Sequence, residues 1–198
     1  MTSKWFVKNY DRMMEPVERN RFGRIRAGLL NNAKGNVLEI GCGTGFNFQY
    51  YRDVSVTAIE PNNYFRKIAS ERASQASIPI DVLPGDAEEL DFSDNAFDTI
   101  VGTLVFCSIP NPQKAIREIM RVCKPNGRIL LFEHVRHDNR VIAALQDLAT
   151  PAWKRVCDGC HLNRNTLALL KKEGIKIKRV KTHSSKIMIT IDANNLDS

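Results

Sequence analysis

Cys157, Cys160 and His161 stand in the run CDGCH, which reads C-x-x-C-H, the pattern by which c-type haem is attached to a chain. The same three side chains are zinc-type donors, and a fourth would have to come from His183 or Cys123 through space. A second constellation lies upstream, where VLEIGCGTG places Gly41, Gly43 and Gly45 directly after a strand-like run, with Glu39 before them and Cys42 between. Glycines at a strand-to-helix turn permit a tight bend and let a ligand approach the backbone, at the carboxyl edge where parallel α/β sheets bind ligands. Phe46 occupies the place of the last glycine of G-x-G-x-x-G, so the dinucleotide pattern is not met. Two acids follow in order. Glu60, before Pro61, ends a strand-like run in VTAIEP, where a carboxylate can accept from both hydroxyls of a ribose. Asp86 in PGDAEEL follows the next run; its carboxylate can accept from an adenine amino group while the backbone of Ala87 addresses the ring. Either acid alone reads as a solvated carboxylate at a strand end, whereas together with the glycines they outline a nucleoside site.

The elements that must carry these residues alternate in type. A polar, amphipathic region runs from about residue 5 to 32, with FGRIRAGLLNN its clearest helix. Strands are expected at NVLEI, SVTAIE, IPIDVLP, AFDTIVGTLVF and RILLFEHV, with helices at FNFQYY, over residues 62–77 and at NPQKAIREIMRVCKPNG. Such alternation implies a parallel sheet covered on both faces. Beyond it, VIAALQDLA is helical and TPAWKRVCDGCHLNRN has no clean period. The helix TLALLKKEG then leads into IKIKRVKT and KIMITI, an antiparallel pair. One domain is expected over 1–198, with a helical cap at 1–33, a ligand-binding core at 34–136 and a lid-like segment with the last strands at 137–198.

Composition narrows the function. With 198 residues, 43% hydrophobic and 26% charged, the chain is an ordinary globular one able to bury a core. A formal charge of +7 suits an acidic partner, but a field of that size steers without specifying, and much of it lies in KKEGIKIKRVKTHSSK, the wet face of a strand. The first twenty residues lack an apolar core and a cleavage-like site, and no run reaches the length of a bilayer span. A cytoplasmic location and reduced thiols are expected, which argues against haem, since covalent attachment belongs to exported proteins.

The run Glu39-x-Gly41-x-Gly43-x-Gly45 resembles motif I of the class I S-adenosylmethionine-dependent methyltransferases. The resemblance covers about residues 34–192 and includes KAIREIMRVCKPNGRILLFEHV. Narrower likeness lies in GTLVFCSIPNP, EHV and PAWKRVCDGCHLNRNT, which are similar to the small group of methyltransferase type 11 proteins holding alkyl-thiol S-methyltransferases and phospholipid-type enzymes. In that group's pattern Trp153, Lys154, Asp158, Gly159, Cys160, Leu162, Arg164 and Thr166 carry over, and Cys157 and His161 fall outside it. The apolar N-terminal anchor of the animal thiol enzymes has no counterpart here, so membrane residence does not carry over.

This likeness implies a Rossmann-like fold with a mainly parallel seven-stranded sheet and an antiparallel C-terminal strand. It implies S-adenosylmethionine as methyl donor, S-adenosylhomocysteine as product and no metal. Donor-site residues would be Glu39, Gly41, Cys42, Gly43, Gly45, Glu60, Pro61, Asp86, Ala87, Thr103 and Leu104, with Tyr10 folding over them or serving as an ordinary surface tyrosine. On the acceptor side His134 is placed to act as general base or to orient the nucleophile, or equally to be a structural histidine. Cys107 faces the donor pocket or is a small buried thiol; Asp158 and Cys160 would form a lid, with Trp153 packed on it or anchoring the loop. The expected partner is a small-molecule acceptor, a thiol before an amine, lipid headgroup or quinone-like group, with peripheral membrane contact compatible. No stable nucleic-acid complex is expected, because TLVFCSIP lacks the acid or amide followed by Pro-Pro and an aromatic that amino-methylating nucleic-acid enzymes carry.

Overall fold

The computed structural model describes residues 4–157, 159–184 and 186–196, with side chains from residue 8 onward. Helix α1 (Lys4–Val17), a π-helical turn (Glu18–Phe22) and α2 (Gly23–Leu30) precede β1 (Asn36–Ile40). Then follow β2 (Ser55–Ile59), α3 (Asn63–Ala73), β3 (Ile80–Leu83), β4 (Phe97–Thr103), α4 (Pro112–Val122), β5 (Cys123–His134), α5 (Arg140–Val156), α6 (Thr166–Lys172), β6 (Lys176–His183) and β7 (Met188–Asn194). The seven strands form one sheet in the order β3-β2-β1-β4-β5-β7-β6. All neighbours are parallel except β7, which runs antiparallel to both β5 and β6. The expected architecture is therefore the observed one.

Alternation along the strands divides the core. Leu38, Ile40, Ile129 and Leu131 face α4, where Ile116 and Ile119 are buried; Val37, Val101, Leu130 and Phe132 face the opposite layer, with Leu29 and Leu30 of α2. Period two in the strands thus supplies two apolar faces, as a doubly covered sheet demands. Asparagines fix where helices begin. Asn62, Asn111, Asn139 and Asn165 each accept from a backbone N–H of the first turn of α3, α4, α5 and α6, satisfying donors that a helix start leaves unpaired.

Three expectations need correction. FNFQYY forms i to i+3 turns and a 3-10 helix at Phe48–Tyr50: Gly43 and Gly45 at positive φ bar any extension of a helix backwards, and the chain turns extended at Tyr51, with ψ 143°. The helix of KAIREIMRV stops at Val122 and the strand starts at Cys123, since a residue before proline disfavours helix and Pro125 follows Lys124. Helix α5 continues through Pro151 to Val156, so the aperiodic stretch begins at CDGCH itself rather than at Thr150.

The cap is tied to the sheet by one buried guanidinium. Arg26 is 3% exposed and donates through Nε and Nη2 to the two carboxylate oxygens of Glu18 at 2.8 and 2.7 Å. Its Nη1 donates to Asn47 Oδ1 at 2.8 Å and Thr103 Oγ1 at 2.7 Å. Removing one partner of such a pair strands the other charge in the interior. Arg26→Met is expected to cost about 3–5 kcal/mol in urea unfolding, and Glu18→Gln in the same chain should recover part of that loss.

Candidate active site

The sheet's strand order reverses between β1 and β4, and ligands of open α/β sheets bind in the crevice outside the carboxyl ends at such a point. The loop after β1 fills it. Gly41 has φ +59° and an added Cβ would come within 2.2 Å of Val105 Cγ2, so this glycine lets the loop close on the segment after β4. Gly43 has φ +57° but an added Cβ would meet nothing within 4 Å. Its Cα therefore borders open space, a cradle that a side chain would fill.

Around that cradle stand the residues expected there. Glu60 is 6% exposed and accepts from the N–H of Gly43 at 3.0 Å and of Asn62 at 2.9 Å, pinning the glycine loop to the start of α3. Asp86 is exposed at the end of β3, with Oδ1 accepting from Glu88 N–H at 2.9 Å, and Ala87 beside it is buried. Cys42 is buried, and burial pushes its thiol well above the ordinary range. Leu104, at φ +57°, donates to Phe132 O at 2.7 Å.

Two of the expected donor residues look inward. Glu39 is 1% exposed and accepts from Tyr51 Oη at 2.7 Å and Asn47 Nδ2 at 2.9 Å, and Thr103 Oγ1 accepts from Arg26 and Asn47. Both hold the loops rather than present a side chain to the cradle. Burial pushes the Glu39 carboxyl up to about 7, against the hydrogen bonds of Tyr51 and Asn47 and the charge of Arg26.

Helix α1 covers the glycine loop. The Tyr10 ring packs on Phe65 and Phe46 at centroid distances of 5.2 and 6.2 Å, and its burial lifts the phenol to about 12. Asp11 clasps it there. Thr44 Oγ1 donates to Asp11 Oδ1 at 2.6 Å, and Arg72 of α3 bridges Asp11 Oδ2 and Thr44 O, each at 2.7 Å. Arg72 also lies over the Phe46 ring at 4.6 Å. The sequence reading found Tyr10 but missed Asp11, Thr44 and Arg72, whose types carry no motif.

The side chains expected on the acceptor side are carried by three separate segments. Glu133, fully buried, accepts through Oε1 from the N–H groups of Val105 and Phe106 at 3.0 and 3.1 Å, and burial lifts its carboxyl to about 7. Arg164 reaches back to Ile109 O at 2.6 Å and to Phe106 O, while His161 N–H donates to Cys107 O at 2.9 Å. So clamped, Cys107, His134 and Cys160 bring their donor atoms within 4.8 Å of one another. His134 Nε2 lies 3.1 Å from Cys160 Sγ. The hydrogen bond from Cys107 and the proximity of His134 pull Cys160 down to about 5, and Cys107, which gives that bond from a buried position, stays well above its usual range. His134 is raised, burial being outweighed by the thiolate beside it. Among the described residues His134 Nδ1 and Glu133 Oε2 are buried without a hydrogen-bond partner, which leaves polar capacity at this end.

The zinc-type set of the sequence is thus redrawn. Cys157 and His161 do not join Cys160 among the described residues; His161 turns to the Cys107 carbonyl, with Nδ1 at 3.1 Å, and Cys157 is buried apart. Asp158 lies outside the described residues.

Residues 38–131 match the family described as "Methyltransferase domain". The thiol S-methyltransferase TMT1B of Rattus norvegicus is 36% identical over 166 residues, covering 80% of this chain and 67% of that protein. This chain belongs to the S-adenosylmethionine-dependent methyltransferases. The phosphatidylethanolamine N-methyltransferase of Cereibacter sphaeroides is 33% identical over 126 residues, 62% of either chain. A SAM-dependent methyltransferase from Aquifex aeolicus shares the fold at a TM-score of 0.72 with 17% identity, covering 99% of this chain and 100% of that one. The chain spans roughly two thirds of the length of these curated relatives.

The cradle fits the donor of this methyltransferase. Open space at Gly43, a carboxylate at Glu60 and an exposed acid at Asp86 would hold the methionine, ribose and adenine parts in turn. Bound there, S-adenosylmethionine supplies an electrophilic methyl group on a sulfonium. Gly43→Ala adds a methyl to the cradle at about 1–2 kcal/mol of backbone strain, and calorimetry is expected to show donor binding weakened tenfold or more while the chain still folds. Glu39 gives a pH signature of its own. Its folded pKa is raised from 4.5 to about 7, so its contribution to stability is complete below 4.5 and is lost as the pH rises through about 7. Glu39→Gln should remove that loss, on the order of 3 kcal/mol, when urea midpoints are compared at about pH 5 and about pH 8.

Proposed function

We propose that this methyltransferase transfers the methyl group of S-adenosylmethionine to the sulfur of a small-molecule thiol. The observation that carries the reading is the meeting of Cys107, His134 and Cys160 beside the donor cradle, joined to 36% identity with a thiol S-methyltransferase. A free thiol is a few per cent thiolate near neutral pH, so the protein's tasks are to favour the ionised sulfur, exclude water and align it with the methyl carbon. Arg164, half-buried with its charge felt at Cys107, Glu133 and Cys160, favours a thiolate at this end. Tyr10 and α1 close the donor side, and the segment between β5 and the last two strands closes the acceptor side as a lid. A cytoplasmic setting suits five cysteines of which none is paired in a disulfide.

A second reading rests on α5. Val141, Leu145, Leu148 and Val156 are 69%, 61%, 79% and 50% exposed, an apolar stripe at helical spacing with Arg140, Lys154 and Arg155 on the same helix. Such a face favours a lipophilic acceptor or contact with a lipid surface, and with it N- or O-methylation of a headgroup. No helix among the described residues is long and apolar enough to cross a membrane.

Turnover of the donor, read as S-adenosylhomocysteine released, should be measured with alkyl thiols, small amines, phosphatidylethanolamine vesicles and RNA. The expected result is a kcat/KM for thiols at least about tenfold above every other class, which corresponds to about 1.4 kcal/mol of transition-state preference. Turnover confined to amines, phospholipid or RNA overturns the thiol assignment.

A further inference from the structure

Three segments far apart in sequence each contribute one soft donor to one place: FCS after β4 gives Cys107, EHV at the end of β5 gives His134, and DGC after α5 gives Cys160. We propose that these three side chains form a Cys2His site for a zinc-type divalent cation, with the fourth coordination position open to the acceptor thiol. The second half of this proposal rests on the thiol reading above; the first does not.

The donor set and its spacing carry the argument. Zinc bound by Cys sulfur at about 2.3 Å and His nitrogen at about 2.0–2.1 Å in a tetrahedron holds its ligand atoms roughly 3.5–3.8 Å apart. Here all three donor atoms lie within 4.8 Å of one another, and Nε2 of His134 is 3.1 Å from Cys160 Sγ, so an ion enters with small movements. Three protein ligands with one position left is the composition of catalytic zinc sites, whereas structural sites are closed by a fourth. No fourth His, Cys, Asp or Glu joins the group among the described residues. Cys107 is buried, while His134 and Cys160 as whole residues are half-buried, so the cluster lies just beneath the surface.

The surroundings suit an ion as well. Two thiolates neutralise a divalent cation, and the Arg164 guanidinium stands near enough for its charge to be felt at both sulfurs. Cys107 and Cys160 are held from opposite sides, by the β4 loop and by the Arg164 clamp, so the site is preformed by the fold.

The chemistry balances. Metal entry displaces to solvent the Cys107 thiol proton and any proton shared by the His134–Cys160 pair, leaving two thiolates and a neutral imidazole as ligands. An acceptor thiol then replaces water at the open position, forms a sulfur-metal bond and releases its proton to solvent. Formation of the new carbon-sulfur bond as the sulfonium's bond breaks leaves two neutral thioethers, methylated acceptor and S-adenosylhomocysteine. A neutral thioether is a poor ligand for zinc beside a thiolate, which favours product release.

The test needs neither donor nor turnover. Protein stripped of metal by a chelator under a thiol-free phosphine reductant is titrated with Zn2+ and with Co2+. One equivalent is expected to bind, with thiolate-to-cobalt charge transfer and the visible bands of a tetrahedral site. Cys107→Ser, Cys160→Ser and His134→Ala should each weaken binding about 100-fold or more, with circular dichroism reporting that each variant is folded, and Cys157→Ser and Cys123→Ser should bind as the unmutated chain does. Should any ligand variant not fold, zinc-dependent protection of Cys107 and Cys160 from alkylation in the unmutated protein, read by mass spectrometry, takes its place. Absence of a tight equivalent in the unmutated protein, or binding that survives Cys160→Ser, overturns the site. An alkyl thiol, but not the matching alcohol, should then shift the cobalt spectrum; an unchanged spectrum overturns the open position. A site that binds metal beside a panel that methylates only amines would sink the thiol reading and leave the metal centre standing.

Discussion

A guanidinium cannot shed its proton and carries five N–H donors, so burying Arg26 to 3% exposure obliges the fold to bring acceptors to it. Those acceptors are drawn from three places: Glu18 in the π-helical turn, Asn47 beyond the glycine loop and Thr103 at the end of β4. Asn47 passes the connection on to Glu39, which also accepts from Tyr51. The cap, the glycine loop and the two central strands therefore share one polar network. None of them can shift without opening a buried bond, and each such bond is costly to leave unmade. The π-helical turn belongs to the same arrangement, for it lies where Glu18 must point inward, in a chain already relieved of one N–H by Pro16.

Much of the fold is legible in sequence because it rests on local, periodic signals. Near-continuous Val, Ile and Leu runs between amphipathic stretches specify a doubly covered parallel sheet, and the Gly41, Gly43, Gly45 spacing specifies the turn out of β1. Glu60 and Asp86 are legible because a strand end followed by an acid is a positional statement. What escapes is whatever depends on a distant partner. Arg26 sits in FGRIRAGLLNN among other arginines and reads as part of a wet face; only the tertiary fold shows that Arg24 is exposed and Arg26 buried. Asp11 and Arg72, sixty-one positions apart, have no local signal for their pairing. Glu39 shows the reverse error: its motif was legible, but the side chain turns from the cradle into the network beneath.

The CDGCH run is a further case. Its sequence expression groups Cys157, Cys160 and His161 by proximity along the chain, and the fold regroups them by strand ends. Gly159, at φ +76°, turns the chain after α5 so that Cys160 meets His134, while His161 is spent on the Cys107 carbonyl. Linear spacing identifies metal or haem ligands only when the loop itself forms the site. Here the loop delivers one donor to a site whose other two come from the loop after β4 and the end of β5.

The loop from Leu104 to Ile109 joins the two halves of the chemistry. Val105 is the residue against which Gly41 is closed, at a spacing that admits no Cβ, so the donor cradle takes its position from this loop. The N–H of the same Val105 is fixed by Glu133, the neighbour of His134, and two residues on stands Cys107, whose carbonyl anchors the segment carrying Cys160. Methyl transfer to a nucleophile depends above all on the line between acceptor, carbon and leaving sulfur. On the reading proposed above, that line is set by a short loop held from both faces at once, by the glycine turn on the donor side and by Glu133 and Arg164 on the acceptor side. A shift of the loop by even an ångström would move both ends of the reaction together, and this is why its backbone is bonded at Leu104, Val105, Phe106, Cys107 and Ile109 although none of these residues bears a charge.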